Sequence, residues 1–391
     1  MKIAFFTDHF LPDISGVSTS LYTIATALAK RGHAVTIFTP RPSRRKQMPV
    51  FTNNLVIEHV SSFPSLFYQN LRVGTPIAPR TIQKLRALNP DIIHVQTPYS
   101  LGITGVLLGR MFKKPVIGSF HGYFMEPEYL QILGIKGQAT FLNSFLWKYA
   151  TFFYNHCTII HTPSSLTKSE LQSRKVKKQI VVIPNTIDQT RIAFKDTQSI
   201  KKLKEKYMLK DSVALYVGRL SPEKNIDLLL RSFSKLVKKF PQVSLMIIGD
   251  GPSKKHLETF CKKEHIQNSV VFTGEIPHEK LLKDGFFQAA TLFVTPSASE
   301  LQPVSIIEAM YFSLPVVGVA KRGVSEMLEG VGVLAKPNSP RSLSQMLSLV
   351  LSDKSLQKML AMQSQKEFRK KYTLPIVISH YEHMYQRLLL V

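Results

Sequence analysis

The stretch "LFVTPSASELQPVSIIEAMYF", residues 292–312, predicts a strand, a loop and a helix in immediate succession. The apolar run at 292–295 is typical of a buried strand in a parallel sheet. Pro303 suits the first position of a helix, because the N–H that it lacks would have no partner there. In doubly wound α/β sheets, ligands bind at the carboxyl ends of strands, where loops lead into helices. The loop at 296–302 is therefore a candidate binding site.

Two glutamates stand on either side of this predicted helix start. Glu300 falls in the loop, and Glu308 falls within the helix, more than one turn along. The backbone N–H groups of Val304 and Ser305 can bind a diphosphate, because a helix N-terminus attracts anions. The carboxylates can accept hydrogen bonds from hydroxyl groups on either side of it. A nucleotide-diphosphate sugar has this layout. In the alternative, Glu300 caps the helix and Glu308 pairs with a surface lysine.

Short apolar runs alternate with amphipathic helical segments along almost the whole chain, which predicts parallel sheets covered by helices. The predicted strands lie at residues 3–6, 34–39, 92–95, 116–119, 158–161 and 180–183, and then at 213–218, 243–249, 270–273, 292–295 and 316–319. We therefore expect an α/β fold with two doubly wound, Rossmann-like domains that face a central cleft. Their expected bounds are 1–190 and 191–371, and we expect a C-terminal helix at 372–391 to pack back on the N-terminal domain.

The composition of the 391-residue chain indicates a globular protein with an excess of positive charge. Hydrophobic residues make up 44% and charged residues 20%, which argues against disorder. The formal net charge of +25 is spread over both halves of the sequence. A protein so basic attracts polyanions such as an anionic membrane, a phosphorylated substrate or nucleic acid. A solvated basic surface without such a partner is the alternative.

The sequence also indicates a reducing compartment. Its two cysteines, Cys157 and Cys261, are far apart and show no metal-ligand spacing. No apolar run reaches transmembrane length, and "MKIAFFTDHF" at the N-terminus predicts a first strand rather than a signal peptide. We therefore expect a cytoplasmic protein.

A second candidate binding loop is "VGRLSPEKNI", residues 217–226, which follows another predicted strand. Arg219 can bind a phosphate through two parallel N–H bonds, and Lys224 adds a point charge. A helix N-terminus repels cations, so two of them at this position favour an anionic ligand over a solvated edge. They can neutralise a diphosphate as a metal ion would. We expect donor binding without a metal or any other cofactor.

Glycines and one histidine follow other predicted strands. Gly249 and Gly251 in "GDGP" would let the backbone approach a ligand closely. Gly16 in "LPDISGVSTS" lies at the start of the first helix, where exposed N–H groups can bind an anion. His121 in "SFHGYF" follows the strand at 116–119 and is a candidate catalytic residue, with a structural role as the alternative.

Several of these motifs, in this order, resemble glycosyltransferase family 4, the retaining sugar-nucleotide transferases with a GT-B fold. They are "SGVSTSLYTIATALAKRGHAVTIFTP", "VIPNTID", "VGRLSPEKN" and the Glu300-x7-Glu308 pair followed by "AMYFSLPVVG". The resemblance covers nearly the whole chain and implies an N-terminal acceptor domain and a C-terminal nucleotide-sugar domain. The roles that it implies are Arg219 and Lys224 on the donor diphosphate, Glu308 on the ribose, Glu300 on the transferred sugar, Gly16 near the phosphates and His121 near the sugar.

One departure from the family pattern lies directly after Glu300. The chain continues with Leu-Gln-Pro-Val, where many relatives have Gly-Phe-Gly or a similar sequence. Pro303 has no N–H to give to a phosphate, whereas Val304 and Ser305 do.

Within the family, "LPDISGVSTS", "VQTPYSLG" and Gln302 look most like the membrane-associated enzymes that transfer a hexose to diacylglycerol. Residues 61–88 mix aromatic and cationic side chains, which predicts an interfacial patch, whereas 141–156 predicts a mainly buried helix. We expect a peripheral protein on the inner face of the cell membrane, with a membrane lipid as acceptor. A polysaccharide or another soluble acceptor is the alternative.

The expected reaction is a retaining hexosyl transfer. The nucleotide diphosphate leaves, the acceptor hydroxyl attacks from the same face, and a phosphate oxygen takes its proton. The candidate catalytic residues are His121, Arg219, Lys224 and Glu300. A sugar-nucleotide epimerase or a sugar phosphorylase is a second enzymatic hypothesis. A nucleic-acid-binding protein is a third hypothesis, but the sequence contains no recognisable nucleic-acid module.

Overall fold

The computed structural model describes residues 1–11, 15–42, 53–64, 72–125 and 139–390. The chain divides into two compact units. Unit 1 comprises Met1–Thr186 together with Leu374–Val391, and unit 2 comprises Ile187–Thr373. The C-terminal helix therefore belongs to the same unit as the N-terminal half of the chain.

Unit 1 is built on a parallel sheet with helices between its strands. Its strands are β1 (Lys2–Phe6), β2 (Ala34–Pro40), β3 (Leu55–Val60), β4 (Ser62–Pro64), β5 (Arg72–Gly74), β6 (Ile92–Val95), β7 (Val116–Ser119), β8 (Ile159–Thr162) and β9 (Ile180–Val182). The sheet order is β3-β2-β1-β6-β7-β8-β9, and β4 and β5 form a separate antiparallel pair. The described helices are Gly16–Lys30, Pro79–Leu88, Ser100–Met111, Ala139–Asn155, Ser165–Ser173 and Leu374–Leu389.

Unit 2 repeats this architecture with a six-stranded parallel sheet. Its strands are β10 (Ser212–Val217), β11 (Val243–Ile248), β12 (Val270–Gly274), β13 (Leu292–Thr295), β14 (Val316–Val319) and β15 (Val333–Ala335), in the order β12-β11-β10-β13-β14-β15. The α-helices are Thr197–Lys206, Ile226–Lys239, Lys254–Lys263, His278–Lys283, Val304–Tyr311, Arg322–Leu328, Pro340–Ser352 and Lys354–Glu367. Short turns of other helix types occur at Gln189–Arg191, Pro222–Lys224 and Phe368–Tyr372.

The strands are apolar runs because helices bury both faces of each sheet. In β10, Ala214 and Tyr216 belong to one hydrophobic cluster, while Val213 and Leu215 belong to another. Successive side chains of a strand point to opposite faces, so one strand supplies both cores. The predicted two-domain α/β fold is confirmed. The strands β3 and β15 are additional edge strands that the sequence did not reveal.

The C-terminal helix packs on unit 1 through apolar and polar contacts. Tyr385 Oη lies 2.9 Å from His94 Nδ1, and His94 Nε2 lies 2.8 Å from Ser119 Oγ. The Ser119 hydroxyl also lies 2.9 Å from His161 Nδ1. His161 Nε2 in turn donates to the carbonyl of Ile183 at 3.0 Å. Because that carbonyl can only accept, the hydrogens run in one direction, from Tyr385 through both neutral imidazoles.

Burial keeps these two histidines neutral. It lowers the pKa of His161 to about 4, although the hydrogen bond to Ile183 acts in the opposite direction. Burial also lowers the pKa of His94 well below its ordinary value, with His161 and His121 nearby adding to the effect. A second proton on either ring would break this chain of hydrogen bonds. The C-terminal helix Leu374–Leu389 is therefore held by neutral histidines.

Both sheets reverse their strand order beside the first strand of each unit, between β1 and β6 and between β10 and β13. Ligands in such sheets bind outside the carboxyl ends of the strands at this reversal. The loops that follow β10 and β13 therefore stand side by side at the edge of unit 2 where a ligand is expected. Among the described residues, no helix has both the length and the apolar character needed to cross a bilayer.

Candidate active site

An ion pair joins the two loops that follow β10 and β13. Lys224 Nζ donates to Glu300 Oε1, and each side chain is about one-fifth exposed. Lys224 ends the turn Pro222–Lys224, and Asn225 then adopts a left-handed backbone that begins the next helix. Two residues that the sequence indicated separately as ligand-binding are thus in direct contact. Such a partly buried, charge-assisted bond is stronger than an exposed pair.

Glu300 does not cap the helix that follows it. The helix Val304–Tyr311 begins after Pro303, which makes no side-chain capping bond. Pro303 is thus the residue before the helix and not its first residue, a difference of one position. The N–H groups of Val304 and Ser305 lie in the uncapped first turn, as the sequence indicated.

Glu308 is buried inside this helix and pairs with His278. The distance from His278 Nε2 to Glu308 Oε1 is 2.6 Å. Burial by itself would lower the pKa of His278, but the charge of Glu308 and this hydrogen bond outweigh it, so the pKa is raised above its ordinary value. The alternative that Glu308 pairs with a surface lysine is therefore wrong. His278 follows β12 in "GEIPHEK", and its place after a strand was the only signal for it in the sequence.

Gly249 and Gly251 have a structural reason to be glycine. A Cβ at Gly249 would lie 2.0 Å from the carbonyl oxygen of Gly218, and one at Gly251 would lie 2.4 Å from that of Leu220. Backbone hydrogen bonds join the same segments, with Leu220 N donating to Asp250 O at 3.0 Å. The loop after β11 therefore supports the backbone on either side of Arg219. Whether these glycines also contact a ligand remains a prediction.

Glu223 is a site residue that the sequence analysis missed. Its carbonyl oxygen accepts hydrogen bonds from Ser297 Oγ at 3.4 Å and from Ser299 Oγ at 3.2 Å. Its carboxylate accepts from Ser221 Oγ through Oε1, and Oε2 is buried without a hydrogen-bond partner among the described residues. Glu223 therefore connects the two loops independently of the neighbouring ion pair. Its position directly before Lys224 was the available signal.

In unit 1, Gly16 is the first residue of the helix that follows β1. Ser15 precedes it as the N-cap and forms a reciprocal capping box with Ser18. A Cβ at Gly16 would meet no atom of the described residues within 4 Å. Of the quoted motif "LPDISGVSTS", residues 12–14 lie outside the described residues.

His121 follows β7 and bonds to the residue after β6. Its Nε2 lies 2.8 Å from Gln96 Oε1. The amide oxygen can only accept, so Nε2 carries the hydrogen and Nδ1 is the acceptor nitrogen. Burial lowers the pKa of His121 to about 3, with His161 adding a smaller effect. His121 is therefore a neutral imidazole at neutral pH.

Asp8, which the sequence analysis did not select, is buried at the carboxyl end of β1. Thr97 Oγ1 donates to its Oδ2 at 2.7 Å, and Leu101 N donates to its Oδ1 at 3.1 Å. Burial raises the pKa of Asp8 to about 6, and these hydrogen bonds reduce the shift. Since Leu101 lies in the first turn of the helix Ser100–Met111, Asp8 caps that helix from a neighbouring loop.

Two family models match the chain in succession. "Glycosyltransferase Family 4" matches residues 14–191, and "Glycosyl transferases group 1" matches residues 197–367. The alpha-monoglucosyldiacylglycerol synthase of Streptococcus pneumoniae is 31% identical over 322 residues, which cover 81% of this chain and 70% of that protein. The chain belongs to glycosyltransferase family 4. The predicted family and the predicted enzyme class, a glycosyltransferase, are both confirmed.

Other known proteins show how far this similarity extends. The family 4 enzyme is 25% identical to the alpha-monoglucosyldiacylglycerol synthase of Acholeplasma laidlawii, over 81% of its own chain and 80% of that protein. The crystal structure of Anabaena HepE in complex with UDP-glucose superposes with a TM-score of 0.77 at 19% identity, covering 99% of this chain and 100% of that one. At this identity the likeness shows the fold, and it confirms the predicted GT-B fold.

The described residues of this family 4 enzyme include no group of three or more His, Cys, Asp or Glu side chains that could hold a metal ion. Lys224 lies in the candidate site through its ion pair with Glu300, and Arg219 lies five residues earlier in the same loop. Independence from metal remains a prediction, and it is part of the proposal below.

Proposed function

We propose that this glycosyltransferase moves a hexose from a nucleotide-diphosphate sugar to a hydroxyl group of a membrane lipid, with diacylglycerol as the first candidate acceptor, and that it retains the anomeric configuration. The observation that carries the proposal is the Lys224–Glu300 ion pair between the loops after β10 and β13, with buried Glu308 in the helix that follows. A cation and two carboxylates stand where a doubly wound sheet binds its ligand.

The donor site follows from these contacts. Lys224 and Arg219 bind the diphosphate, and the N–H groups of Val304 and Ser305 add hydrogen bonds from the helix start. Glu308 accepts from the ribose hydroxyls, and Glu300 accepts from a hydroxyl of the hexose. No metal is needed, because the two cations neutralise the charge that develops on the leaving diphosphate. The complex of Anabaena HepE with UDP-glucose supports a uridine donor.

The transfer itself needs few groups of the protein. The acceptor hydroxyl attacks the anomeric carbon from the face that the diphosphate leaves, and a phosphate oxygen takes the hydroxyl proton. His121 is neutral, so it can hydrogen-bond to the hexose without adding a positive charge. The protein contributes positioning and charge stabilisation rather than a covalent nucleophile.

The lipid acceptor is supported by the names of the two synthases from Streptococcus pneumoniae and Acholeplasma laidlawii. The net charge of +25 supports a peripheral location on the cytoplasmic face of a membrane with anionic lipids. A soluble glycan acceptor is the second candidate. An epimerase or a phosphorylase is a weaker candidate, because neither reaction uses the lipid acceptor that the names of the two synthases support.

One assay tests donor and acceptor together. The purified protein is incubated with radiolabelled UDP-glucose, UDP-galactose, UDP-N-acetylglucosamine or GDP-mannose, with diacylglycerol in mixed vesicles, and with or without EDTA. We expect label in the lipid phase from one hexose donor, at an equal rate with EDTA. Label that appears only in an added soluble glycan would favour the second candidate. Release or epimerisation of the sugar at the same rate without any acceptor would contradict a transferase that acts on lipids.

A further inference from the structure

Two neighbouring helices of unit 1 expose large apolar side chains. On Ala139–Asn155, the exposed fractions of Phe141, Phe145 and Phe152 are 81%, 59% and 64%. These residues recur at helical spacing and share one face with exposed Lys148. The opposite face, which includes Trp147, is buried. The prediction that 141–156 forms a mainly buried helix is therefore wrong for one whole face.

The helix Ser100–Met111 adds to this surface. Ile103, Leu107 and Met111 are exposed at the same helical spacing. The two helices are adjacent, because a Cβ on Gly102 would lie 3.4 Å from the ring of Phe153. We call the six exposed side chains of these helices the apolar patch: Ile103, Leu107, Met111, Phe141, Phe145 and Phe152. Large apolar side chains exposed together on adjacent helices are the kind of surface that marks an interaction site.

Exposed cations adjoin the patch. Thr151 Oγ1 donates to the carbonyl of Arg174 at 3.1 Å, and Lys177 N donates to Asn155 Oδ1 at 2.8 Å. The segment that follows the helix Ser165–Ser173 is thereby fixed beside the helix Ala139–Asn155. We call its exposed cations the basic rim: Arg174, Lys175, Lys177 and Lys178. Between residues 139 and 178, Glu170 is the only acidic residue of the sequence.

We propose that the apolar patch and the basic rim together dock unit 1 on the surface of an anionic phospholipid bilayer. The phenylalanines insert among the acyl chains near the headgroups, while the rim binds lipid phosphates. This docking rests on the proposed function only in that a lipid acceptor lies in a membrane. A second copy of the chain fits the surface poorly, because it would place one basic rim near another.

The sequence had indicated a different patch, at residues 61–88. Of that stretch, 65–71 lie outside the described residues. Phe63 is exposed, so it offers a direct comparison between the two surfaces.

Co-sedimentation with vesicles tests the proposal on the full chain, without donor and without diacylglycerol. The vesicles are phosphatidylcholine alone or with 30% phosphatidylglycerol. The test variants are Phe145→Ser with Phe152→Ser, and Lys175→Glu with Lys177→Glu. The matched controls lie in unit 2, where Met362 is an exposed apolar residue and Lys201 and Lys202 are exposed cations. They are Met362→Ser, and Lys201→Glu with Lys202→Glu.

We expect the wild type to bind the anionic vesicles at least tenfold more tightly than the neutral ones, and more weakly at high salt. In both test variants the affinity for anionic vesicles should fall at least tenfold. In the controls this affinity should change less than twofold. Phe63→Ser should also have little effect. Unchanged binding by the phenylalanine variant, or equal losses in the Met362 control, would overturn the proposal. So would a concentration-dependent dimer that the phenylalanine variant abolishes while vesicle binding persists.

The outcome is separable from that of the transfer assay. All substituted side chains are exposed, so circular dichroism and thermal unfolding should match the wild type. Transfer to a water-soluble, short-chain diacylglycerol should stay within twofold in the phenylalanine variant. Loss of vesicle binding with retained soluble transfer supports the docking surface. If no lipid is ever glycosylated, the vesicle experiment still decides whether this surface binds membranes.

Discussion

Lys224 donates a hydrogen bond to Glu300, and this contact connects the loops after two adjacent parallel strands, β10 and β13. It places the cation that we propose for the donor diphosphate directly beside the carboxylate that we propose for the sugar. Each residue neutralises the other, so neither leaves an uncompensated charge in a partly buried site.

Replacing Lys224 by methionine should lower kcat/KM for the donor by about 10- to 200-fold, which corresponds to one charge-assisted hydrogen bond of about 1.5–3 kcal/mol. Lys283→Met is the matched control, since Lys283 forms an exposed pair with Glu279, and such pairs contribute little. Steady-state kinetics of Lys224→Met, Glu300→Gln and the double variant should be strongly non-additive. Additive losses would mean that the pair does not act as one unit.

Glu308→Gln should lower the pKa of His278. The charge of Glu308 and the hydrogen bond to it raise that pKa against the opposing effect of burial, and the amide removes the charge. An NMR titration of His278 in both proteins measures the change. Because the folded-state pKa is raised, the pair stabilises the fold at low pH, and that contribution is lost as pH rises through the folded pKa. An unchanged titration would contradict the contact.

Gly249→Ala and Gly16→Ala form a matched pair of substitutions. At Gly249 the new methyl group would collide with the carbonyl of Gly218, whereas at Gly16 it meets no atom within 4 Å in the part of the chain that the structure describes. We expect Gly249→Ala to lower the midpoint of thermal unfolding and to weaken donor binding by about tenfold or more, since the backbone around Arg219 must move. Gly16→Ala should unfold as the wild type does. A loss of activity without a loss of stability in Gly16→Ala would then indicate contact with a ligand.

The side chain of Glu223 should position the loop after β10 through its contact with Ser221. The link to the loop after β13 is made by the backbone carbonyl of Glu223 and stays in place in any side-chain variant. Glu223→Gln keeps the acceptor for Ser221 and alters only the buried oxygen that has no hydrogen-bond partner among the described residues, so we expect it to unfold close to the wild-type temperature. Glu223→Ala loses that contact and should raise the donor KM by about tenfold, with a smaller change in kcat. The stabilisation of each variant by UDP provides a second readout. Equal kinetics in all three proteins would rule out this role.

The buried histidines should make unit 1 sensitive to acid. The folded-state pKa of His161 is lowered to about 4, so its contribution to stability is present above about pH 6.5 and is lost as pH falls towards 4. The maximum loss is about 3 kcal/mol. Asp8 has the opposite effect on stability. Because its folded-state pKa is raised to about 6, protonation of Asp8 on acidification stabilises the fold. Urea unfolding of the wild type and of His161→Gln across pH 7.5 to 4.5 separates the two, and the variant should show the weaker decline in stability on acidification.

The fold could be predicted from the sequence because buried parallel strands are apolar runs with turn residues between them. The strand β3 escaped because Glu58 and His59 interrupt its run at the sheet edge, and β15 has only three residues. The loops of the site could be predicted for the same reason, since each follows a strand. The contacts between the loops could not be predicted. The Lys224–Glu300 and His278–Glu308 pairs join residues that are far apart in the sequence and become neighbours only in the folded sheet.

The exposed phenylalanines illustrate a different limit. The helix Ala139–Asn155 carries aromatic residues on both its buried and its exposed face. Hydrophobic periodicity identifies the solvent side of a helix only when that side is polar. The pattern therefore could not show which ring faces the core and which faces outwards, and composition alone favoured burial.

The discontinuous composition of unit 1 has a consequence for the order of folding. Its first stretch ends at Thr186, but two of the residues that contact the buried histidines lie on the helix Leu374–Leu389. Tyr385 contacts His94, and Tyr381 Oη lies 3.2 Å from His161 Nε2. During translation, all of unit 2 leaves the ribosome before that helix does. The half of the enzyme that is made first is thus the half that is completed last, and a nascent chain stalled before Leu374 would hold one finished unit and one with its buried histidines still open to water.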